Sequence, residues 1–193
     1  MQFAVGRLAR VKWSLKVDSD LSVVECSYQR HGEQVLEIFN HAILTSTALY
    51  DYAPRDLQQI EVWFSNKLTG RWPILGLESS SGELQAFGSY GPFRNFPAYK
   101  YTVEHSVYVA EGFRGQGLGQ TILKLLIDRA RQNDYHAMIG AIDANNSASC
   151  ALHDKLGFEL VGKLPQVGFK FGNWLDLALY QLTLNTPDKP IDG

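Results

Sequence analysis

A glycine-rich turn is the part of this 193-residue sequence whose residue types most directly suggest chemistry. A predicted strand ends at residues 107–109, and glycines follow at Gly115, Gly117 and Gly119 before a predicted helix. Main-chain N–H groups that no side chain shields can close around phosphate oxygens, and the positive end of the helix dipole lies at the same place. The pattern therefore predicts a phosphate-binding turn over residues 114–120.

The spacing of this turn excludes one familiar phosphate-binding motif and fits a second one poorly. A Walker loop requires Gly-Lys-Ser/Thr, but Gly117 is followed by Leu118 and Gly119. A dinucleotide fingerprint that starts at Gly115 requires glycine or alanine at position 120, where this chain has Gln120. A P-loop is therefore excluded, and a Rossmann site is not favoured.

The motif that fits is Arg-x-x-Gly-x-Gly at 114–119, after Val-Tyr-Val at 107–109, and here the chain resembles the GNAT superfamily of N-acetyltransferases. The Q/R-x-x-G-x-G/A turn of that superfamily grips the pyrophosphate of coenzyme A. For these six residues alone, an ordinary glycine-rich turn between a strand and a helix is the alternative. The resemblance implies acetyl-coenzyme A as co-substrate, without a metal ion.

A short predicted helix downstream extends the resemblance. Asn146, Ser149 and His153 are spaced by three and four residues and therefore share one helix face. The superfamily places an asparagine of the pattern Asn-x-x-Ser-x-x-Leu-Tyr-x-Lys-x-Gly-Phe against the pantetheine arm. The resemblance thus implies the following cofactor-binding residues: Val107, Tyr108, Val109, Arg114, Gly115, Gln116, Gly117, Leu118, Gly119, Gln120, Asn146 and Ser149.

His153 stands where many relatives have a tyrosine that is proposed to protonate the leaving thiolate. An imidazole with an ordinary pKa of about 6.5 has some acid form available near neutrality, so His153 is a candidate catalytic acid. The equal alternative is a helix residue that packs and forms hydrogen bonds.

A narrower resemblance points to the acceptor. The segments 90–94, 98–99, 101–109 and 170–176 look like the phosphinothricin and methionine sulfoximine acetyltransferase branch of the superfamily. This implies a small amino acid analogue acetylated on its α-amine, and a homodimer with the site near the interface. The planar guanidinium of Arg94 matches a carboxylate, so Arg94 is the candidate anchor, with Asn95 and Phe96 in the same loop. A solvated surface turn is the alternative.

The acceptor ammonium must lose a proton before it attacks a thioester, so a base is required. Glu104 is the candidate base, acting through a water, because strand alternation turns it away from the apolar side. A salt-bridged structural carboxylate is the alternative. A main-chain N–H of residues 107–109 would stabilise the oxyanion. The predicted catalytic residues are Glu104 and His153, and the predicted substrate-binding residues are Arg94, Asn95, Phe96, Glu104, His105 and Ser106, where His105 requires a bulge to reach the pocket.

Hydrophobic periodicity predicts the elements that position these residues, in the order β-α-α-β-β-β-α-β-α-β-β. Strand 101–110 is predicted to be the longest, and Pro54 is predicted to lie in the first turn of the second helix. The fold class is α/β, a single-domain GNAT fold with a mixed, mostly antiparallel sheet and helices on both faces. Residues 1–20 are interpreted as an N-terminal extension, 21–185 as the domain and 186–193 as a tail.

Composition limits the partners and the compartment. A formal net charge of -2 argues against general affinity for nucleic acid or an anionic membrane. The two cysteines are too few and too far apart for a disulfide framework, which favours a reducing cytoplasm. The five histidines lack metal-ligand spacing, so no metal site is predicted. Two rival functions remain: a GNAT enzyme for a protein N-terminus, a polyamine or an aminoglycoside, and a non-catalytic acyl-coenzyme A binding module.

Overall fold

A computed structural model describes residues 20–192, and this part of the chain contains four α-helices, two short 3-10 helices and seven strands. The α-helices are α1 (Tyr28–Thr45), α2 (Leu57–Thr69), α3 (Leu118–Gln132) and α4 (Ser147–Lys155). The strands are β1 (Leu21–Glu25), β2 (Ile74–Ser79), β3 (Leu84–Pro92), β4 (Thr102–Val109), β5 (Ala137–Asp143), β6 (Glu159–Lys170) and β7 (Asn173–Thr183). The order of elements matches the sequence prediction. The predicted N-terminal extension lies outside the described residues, apart from Asp20.

One sheet organises the fold, with the strand order β1-β2-β3-β4-β5-β7-β6. Every neighbouring pair is antiparallel except β4 and β5, which run parallel. Helices α1 and α2 cover one face, and α3 covers the other together with α4. The predicted mixed, mostly antiparallel sheet with helices on both faces is thereby confirmed. None of the helices within 20–192 is long and apolar enough to span a bilayer.

Each face of the sheet has its own apolar core. On the α3 face, Ile122 and Leu126 are fully buried among side chains of the central strands. On the α1 face, Phe39 contacts Phe87 and Tyr108 edge to face, with ring centroids 5.1 and 4.9 Å apart. Burying one side chain of this size contributes about 1.5–3 kcal/mol. The two cores therefore hold β3 and β4 rigidly between them.

Two local predictions are wrong. The longest strand is β6, with 12 residues, whereas β4 has 8. Strand β6 lies at the sheet edge and passes Pro165 through a register shift, a place where proline costs no ladder hydrogen bond. Pro54 precedes α2, which begins after Asp56. The Asp56 carboxylate accepts from the Gln59 N–H, and the Gln59 side chain accepts from the Asp56 N–H, a reciprocal capping box.

The predicted C-terminal tail lies against the starts of β4 and β5. The His136 ring donates a 2.9 Å hydrogen bond to the Thr186 carbonyl, and the Ile191 N–H donates to the Tyr101 hydroxyl at 3.2 Å. Leu184, just after β7, is 3% exposed.

Candidate active site

Strands β4 and β5 separate in the middle of the sheet. They pair only between Thr102–Glu104 and Ala137–Ile139, although β4 continues to Val109 and β5 continues to Asp143. Ala141 is exposed even though β5 is a central strand. The sheet therefore contains a wedge-shaped opening that begins just after Glu104.

Main-chain groups of β4 face this opening. The Ala110 N–H donates to the Gln85 carbonyl on the β3 side. Because successive residues of a strand alternate the direction of their N–H and C=O groups, those of Val107 and Val109 point to the β5 side. Past Glu104 that side carries no ladder. A ligand in the opening therefore meets two unpaired N–H donors and two carbonyl acceptors.

The side chains of the Val-Tyr-Val segment lie elsewhere. Tyr108 is 9% exposed and packs in the α1 core, so only its main chain lies near the opening. Val107 and Val109 pack against the α3 core. The sequence prediction that these three residues bind a cofactor therefore concerns their backbone.

The predicted phosphate-binding turn has the backbone that its glycines permit. Gly115 and Gly117 have φ angles of +78° and +81°, in the left-handed region where side chains are strained, and Gly117 is the N-cap of α3. A Cβ on either glycine would have no atom within 4 Å, so their main chains are open to solvent. The N–H groups that begin α3 lack helical acceptors. An anion at this turn would therefore meet open main-chain N–H groups.

Around the turn, Arg114 and Gln116 are exposed, Gly119 and Gln120 are half-buried, and the Leu118 side chain is buried in the α3 core. The Arg114 side chain is therefore solvent-exposed, one residue before the glycines of the turn.

Asn146 begins α4 and is half-buried. Its side-chain oxygen accepts a 3.1 Å hydrogen bond from the Ser149 N–H, which caps the helix. The amide NH₂ group of Asn146 is left for other contacts. Capping alone explains an asparagine here, whereas its place beside β5 suits the predicted contact with a cofactor arm.

His153 and His105 form a buried pair. The Nε2 atoms lie 3.0 Å apart, the rings are stacked, and the residues are 3% and 9% exposed. His153 Nδ1 lies 2.7 Å from the Ser149 carbonyl, which can only accept, so Nδ1 carries the proton. In a neutral ring Nε2 then accepts from His105. His105 Nδ1 is left as a buried acceptor without a hydrogen-bond partner.

Burial keeps both rings neutral. Desolvation, followed by the neighbouring His153, lowers the pKa of His105 from 6.5 to about 3, and desolvation also lowers the pKa of His153. The pair has room because position 140 of β5 is glycine. A Cβ there would lie 2.8 Å from His153 Nε2 and 3.0 Å from His105 Nε2. The pair therefore lies beside β5 where the two strands begin to separate.

Glu104 lies on the opposite face from His105, as the alternation of β4 predicts. It is the last β4 residue that pairs with β5, and it shares its face with Ser106 and Tyr108. The residue as a whole is exposed, while surrounding protein atoms partly desolvate its carboxylate. Desolvation raises the pKa of Glu104, while Arg94 and Lys67 lower it. No bulge interrupts β4, so His105 does not turn towards the side of Glu104.

Arg94 follows β3 in an exposed loop. Its guanidinium lies 5.2 Å from the centre of the Phe93 ring, and its charge acts on Glu104. The loop borders a cavity of about 280 Å³, lined by Trp72, Pro92, Arg94, Asn95, Phe96, Pro97, Tyr99, Lys100 and Tyr135. Three of the predicted substrate-binding residues, Arg94, Asn95 and Phe96, therefore line one pocket. The other three, Glu104, His105 and Ser106, lie on β4 and do not line it.

Sequence reasoning missed two residues of this region and one pocket. In the sequence, Lys67 is an ordinary basic residue in the last turn of α2, and no nearby residue indicates that it lies close to Glu104. An isolated glycine inside a predicted strand, such as Gly140, does signal a close approach. A larger pocket of about 410 Å³ lies between the α1–α2 loop and α2 and includes Trp63.

Comparisons with known proteins give one consistent family. The model of the Acetyltransferase (GNAT) family matches residues 36–158. An L-methionine sulfoximine/L-methionine sulfone acetyltransferase of Pseudomonas aeruginosa is 45% identical over 151 residues, 78% of this chain and 88% of that protein. A phosphinothricin N-acetyltransferase of Alcaligenes faecalis is 36% identical over 155 residues, 80% of this chain and 78% of that protein.

A solved structure agrees with them. The phosphinothricin acetyltransferase of Sinorhizobium meliloti, in complex with acetyl-CoA, superposes with a TM-score of 0.85 at 30% sequence identity. The match covers 90% of this chain and 95% of that one.

Proposed function

Because this chain belongs to the GNAT acetyltransferase family and is an acetyl-CoA-dependent N-acetyltransferase, we propose that its acceptor is a small amino acid analogue. The amine acetylated is the α-amine, and methionine sulfoximine, methionine sulfone and phosphinothricin are the acceptors to test first. Glu104 acts as the base. Relatives named for these acceptors, 36–45% identical to this chain, support the proposal.

The position of Glu104 carries the proposal. It is the last residue of β4 before the sheet opens, so its carboxylate lies at the entrance to the opening where the Val107 and Val109 amides are exposed. The raised pKa of Glu104, caused by desolvation, makes it a stronger base than an ordinary carboxylate. It accepts the proton of the acceptor ammonium through a water.

The chain's own groups hold the co-substrate. Acetyl-CoA supplies an activated acyl thioester when bound. The amides of residues 115–120 and the Arg114 guanidinium hold its diphosphate, and the main chain of Val107 and Val109 holds the pantetheine arm. A β4 amide that faces the opening would stabilise negative charge developing on the acyl oxygen. Asn146 contacts the arm from the β5 side.

Arg94 anchors the acceptor carboxylate. Its guanidinium lies in an exposed loop on a pocket and acts on Glu104 through space. An amino acid carries its carboxylate and its amine on one carbon, so a cation and a base that lie close together match both groups. A polyamine has no carboxylate for Arg94, which disfavours that class of acceptor.

The role of His153 is a choice between two proposals. As an acid it would donate a proton to the leaving thiolate, but its Nδ1–H is engaged by Ser149 and its Nε2 by His105. Its lowered pKa leaves little acid form at neutral pH. These contacts favour the packing and hydrogen-bonding role over proton donation.

Coenzyme A release tests the proposal. We would assay methionine sulfone, phosphinothricin and spermine as acceptors for the native chain, Glu104→Gln and Arg94→Ala. Glu104→Gln is expected to lower kcat at least 100-fold, the usual worth of a general base. Arg94→Ala is expected mainly to raise KM, because it removes binding that is shared by ground and transition states.

Matched controls separate these effects from general damage. Glu61→Gln makes the same change on the exposed surface of α2, and Arg131→Ala removes an exposed arginine from α3. Both are expected to keep native kinetics. Preferred turnover of spermine would favour the rival acceptor class, and tight acetyl-CoA binding without turnover of any amine would favour the binding module.

We also propose that the enzyme is a homodimer that associates through β6 and β7. Both strands expose apolar side chains at the edge of the sheet: Leu160, Leu164, Val167, Phe169 and Trp174 are 44–61% exposed. Apolar clusters of this kind mark protein interfaces. Light scattering is expected to give twice the chain mass, and a Trp174→Lys variant is expected to shift towards the monomer. A monomeric native protein would contradict the proposal.

A further inference from the structure

Lys67 reaches across the α2 face of the sheet to the end of β3. Its ammonium donates a 2.9 Å hydrogen bond to the Tyr90 carbonyl. It also lies 5.5 Å from the centre of the Trp63 ring and 5.8 Å from that of Trp72. A carbonyl and two aromatic faces hold a cation in place without neutralising it. The positive charge is therefore fixed at one point on the sheet.

That point is next to Glu104. A Cβ on Gly91 would lie 3.3 Å from Lys67 Nζ, so the ammonium occupies the space that a side chain would fill. Gly91 pairs directly with Glu104 across β3 and β4. Residues directly opposite in an antiparallel pair have Cα atoms about 4.5–5.5 Å apart. Lys67 and Glu104 are thus neighbours on one face of the sheet, brought together by a glycine.

Two charged groups affect the pKa of Glu104. Arg94 faces it from the loop after β3, and Lys67 faces it from α2. On β4 itself the titratable neighbour is Tyr108, which in turn is acted on by Arg55 and Asp51. Of the two cations, Arg94 is exposed in a loop, whereas Lys67 is half-buried and held by three contacts.

We propose that Lys67, lying over Gly91, is a positioning residue that holds the Glu104 carboxylate in its ionised form and fixes its location for proton acceptance. The proposal rests on the proposed role of Glu104 as the base. It assigns to α2 a part in the reaction beyond packing.

The two charges complement one another. Burial raises the pKa of Glu104 and lowers the pKa of Lys67 to about 8, and each group's attraction to the other opposes its shift. Lys67 therefore stays mostly protonated at neutral pH. When it is removed, the desolvation of Glu104 is opposed by Arg94 alone. An opposite charge within about 4–6 Å typically moves a carboxyl pKa by 1–3 units.

Direct titration tests the inference without requiring turnover. In protein labelled with ¹³C at glutamate carboxyl groups, the Glu104 resonance is identified by its loss in Glu104→Gln. In Lys67→Met its midpoint is expected to rise by about 1 pH unit. Lys67→Arg keeps a cation and is expected to restore most of the shift. Lys189→Met, which removes an exposed lysine from the tail, is expected to leave the midpoint unchanged.

A second variant tests the same prediction by displacing the Lys67 ammonium instead of removing it. Gly91→Val places a side chain in the space of the ammonium while Lys67 is retained. Its Glu104 midpoint is expected to rise as in Lys67→Met. Thermal melting and the Kd for acetyl-CoA report whether either variant is generally damaged. The predicted acetyl-CoA site lies at the start of α3, apart from Lys67 and Gly91.

Kinetics separates this inference from the proposed function. With methionine sulfone, the acid limb of kcat/KM is expected to move upward with the NMR midpoint in Lys67→Met. If Glu104→Gln keeps native turnover, the proposed base is wrong. If Glu104→Gln is inactive but Lys67→Met changes KM alone, with an unmoved midpoint and acid limb, Lys67 is an anchor and the positioning role is overturned.

Discussion

The buried histidine pair predicts that acid destabilises this protein by a calculable amount. His105 has a pKa of about 3 in the folded chain and the ordinary value of 6.5 when unfolded. Between pH 6.5 and about 3, His105 is therefore protonated in the unfolded chain but neutral in the folded chain. The stability that comes from keeping His105 neutral is complete above pH 6.5 and is lost as the pH falls from there towards 3.

The size of the effect follows from linkage. Each pH unit below 6.5 costs about 1.4 kcal/mol for one such group, so lowering the pH from 7.5 to 5.0 costs about 2 kcal/mol through His105 alone. His153 contributes in the same direction, because desolvation also lowers its pKa. A loss of this size is a substantial part of the stability of a typical domain, about 5–15 kcal/mol.

The variant His105→Gln isolates this contribution. Glutamine keeps an N–H that can donate to His153 Nε2 but does not titrate. Urea unfolding, followed by tryptophan fluorescence at one protein concentration, is measured between pH 7.5 and 5.0. The native chain is expected to lose about 2 kcal/mol more than the variant over this range. Titrating groups that do not contact residue 105 are shared by the two proteins and cancel in the difference.

The exposed His136 provides the matched control. His136→Gln makes the same chemical change outside the core and is expected to follow the native pH dependence. The reasoning is refuted if the free energy of unfolding falls equally with pH in the native chain and in His105→Gln. His105 would then bind protons equally in the folded and unfolded states. An equal change in His136→Gln would show that the difference does not come from burial.

Two further predictions concern the turn and the α1 terminus. Gly117→Ala forces a side chain into the left-handed region, costing about 1–2 kcal/mol, so acetyl-CoA affinity measured by calorimetry is expected to fall about tenfold. Gly112→Ala, in the same loop without a positive φ, is expected to bind normally. Lys170→Met removes hydrogen bonds from a buried ammonium to the carbonyls of Ile43, Ser46 and Leu49, and is expected to lower the free energy of unfolding by about 3 kcal/mol. Lys163→Met, in an exposed ion pair, is expected to cost under about 1 kcal/mol. Equal losses in either matched pair would contradict these accounts.

The sequence by itself determined the elements and the direction of side chains along them. Alternating polar and apolar residues on β4 were enough to predict that Glu104 and His105 lie on opposite faces. Glycines at 115, 117 and 119 were enough to predict a turn with open main-chain N–H groups before α3. These features could be predicted because each depends on residues a few positions apart, where backbone geometry is fixed by local sterics.

Only the tertiary structure decided which distant groups meet. His105 and His153 are 48 residues apart, and their contact depends on how α4 packs over Gly140. Lys67 lies near Glu104 only because α2 lies over Gly91, and Lys170 caps α1 from the far edge of the sheet. Such contacts depend on how whole helices and strands pack against one another. Hydrophobic periodicity along the sequence predicts each element but not which distant side chains it will contact. The candidate base could therefore be predicted from the sequence, whereas the charged and neutral groups around it depend on the fold.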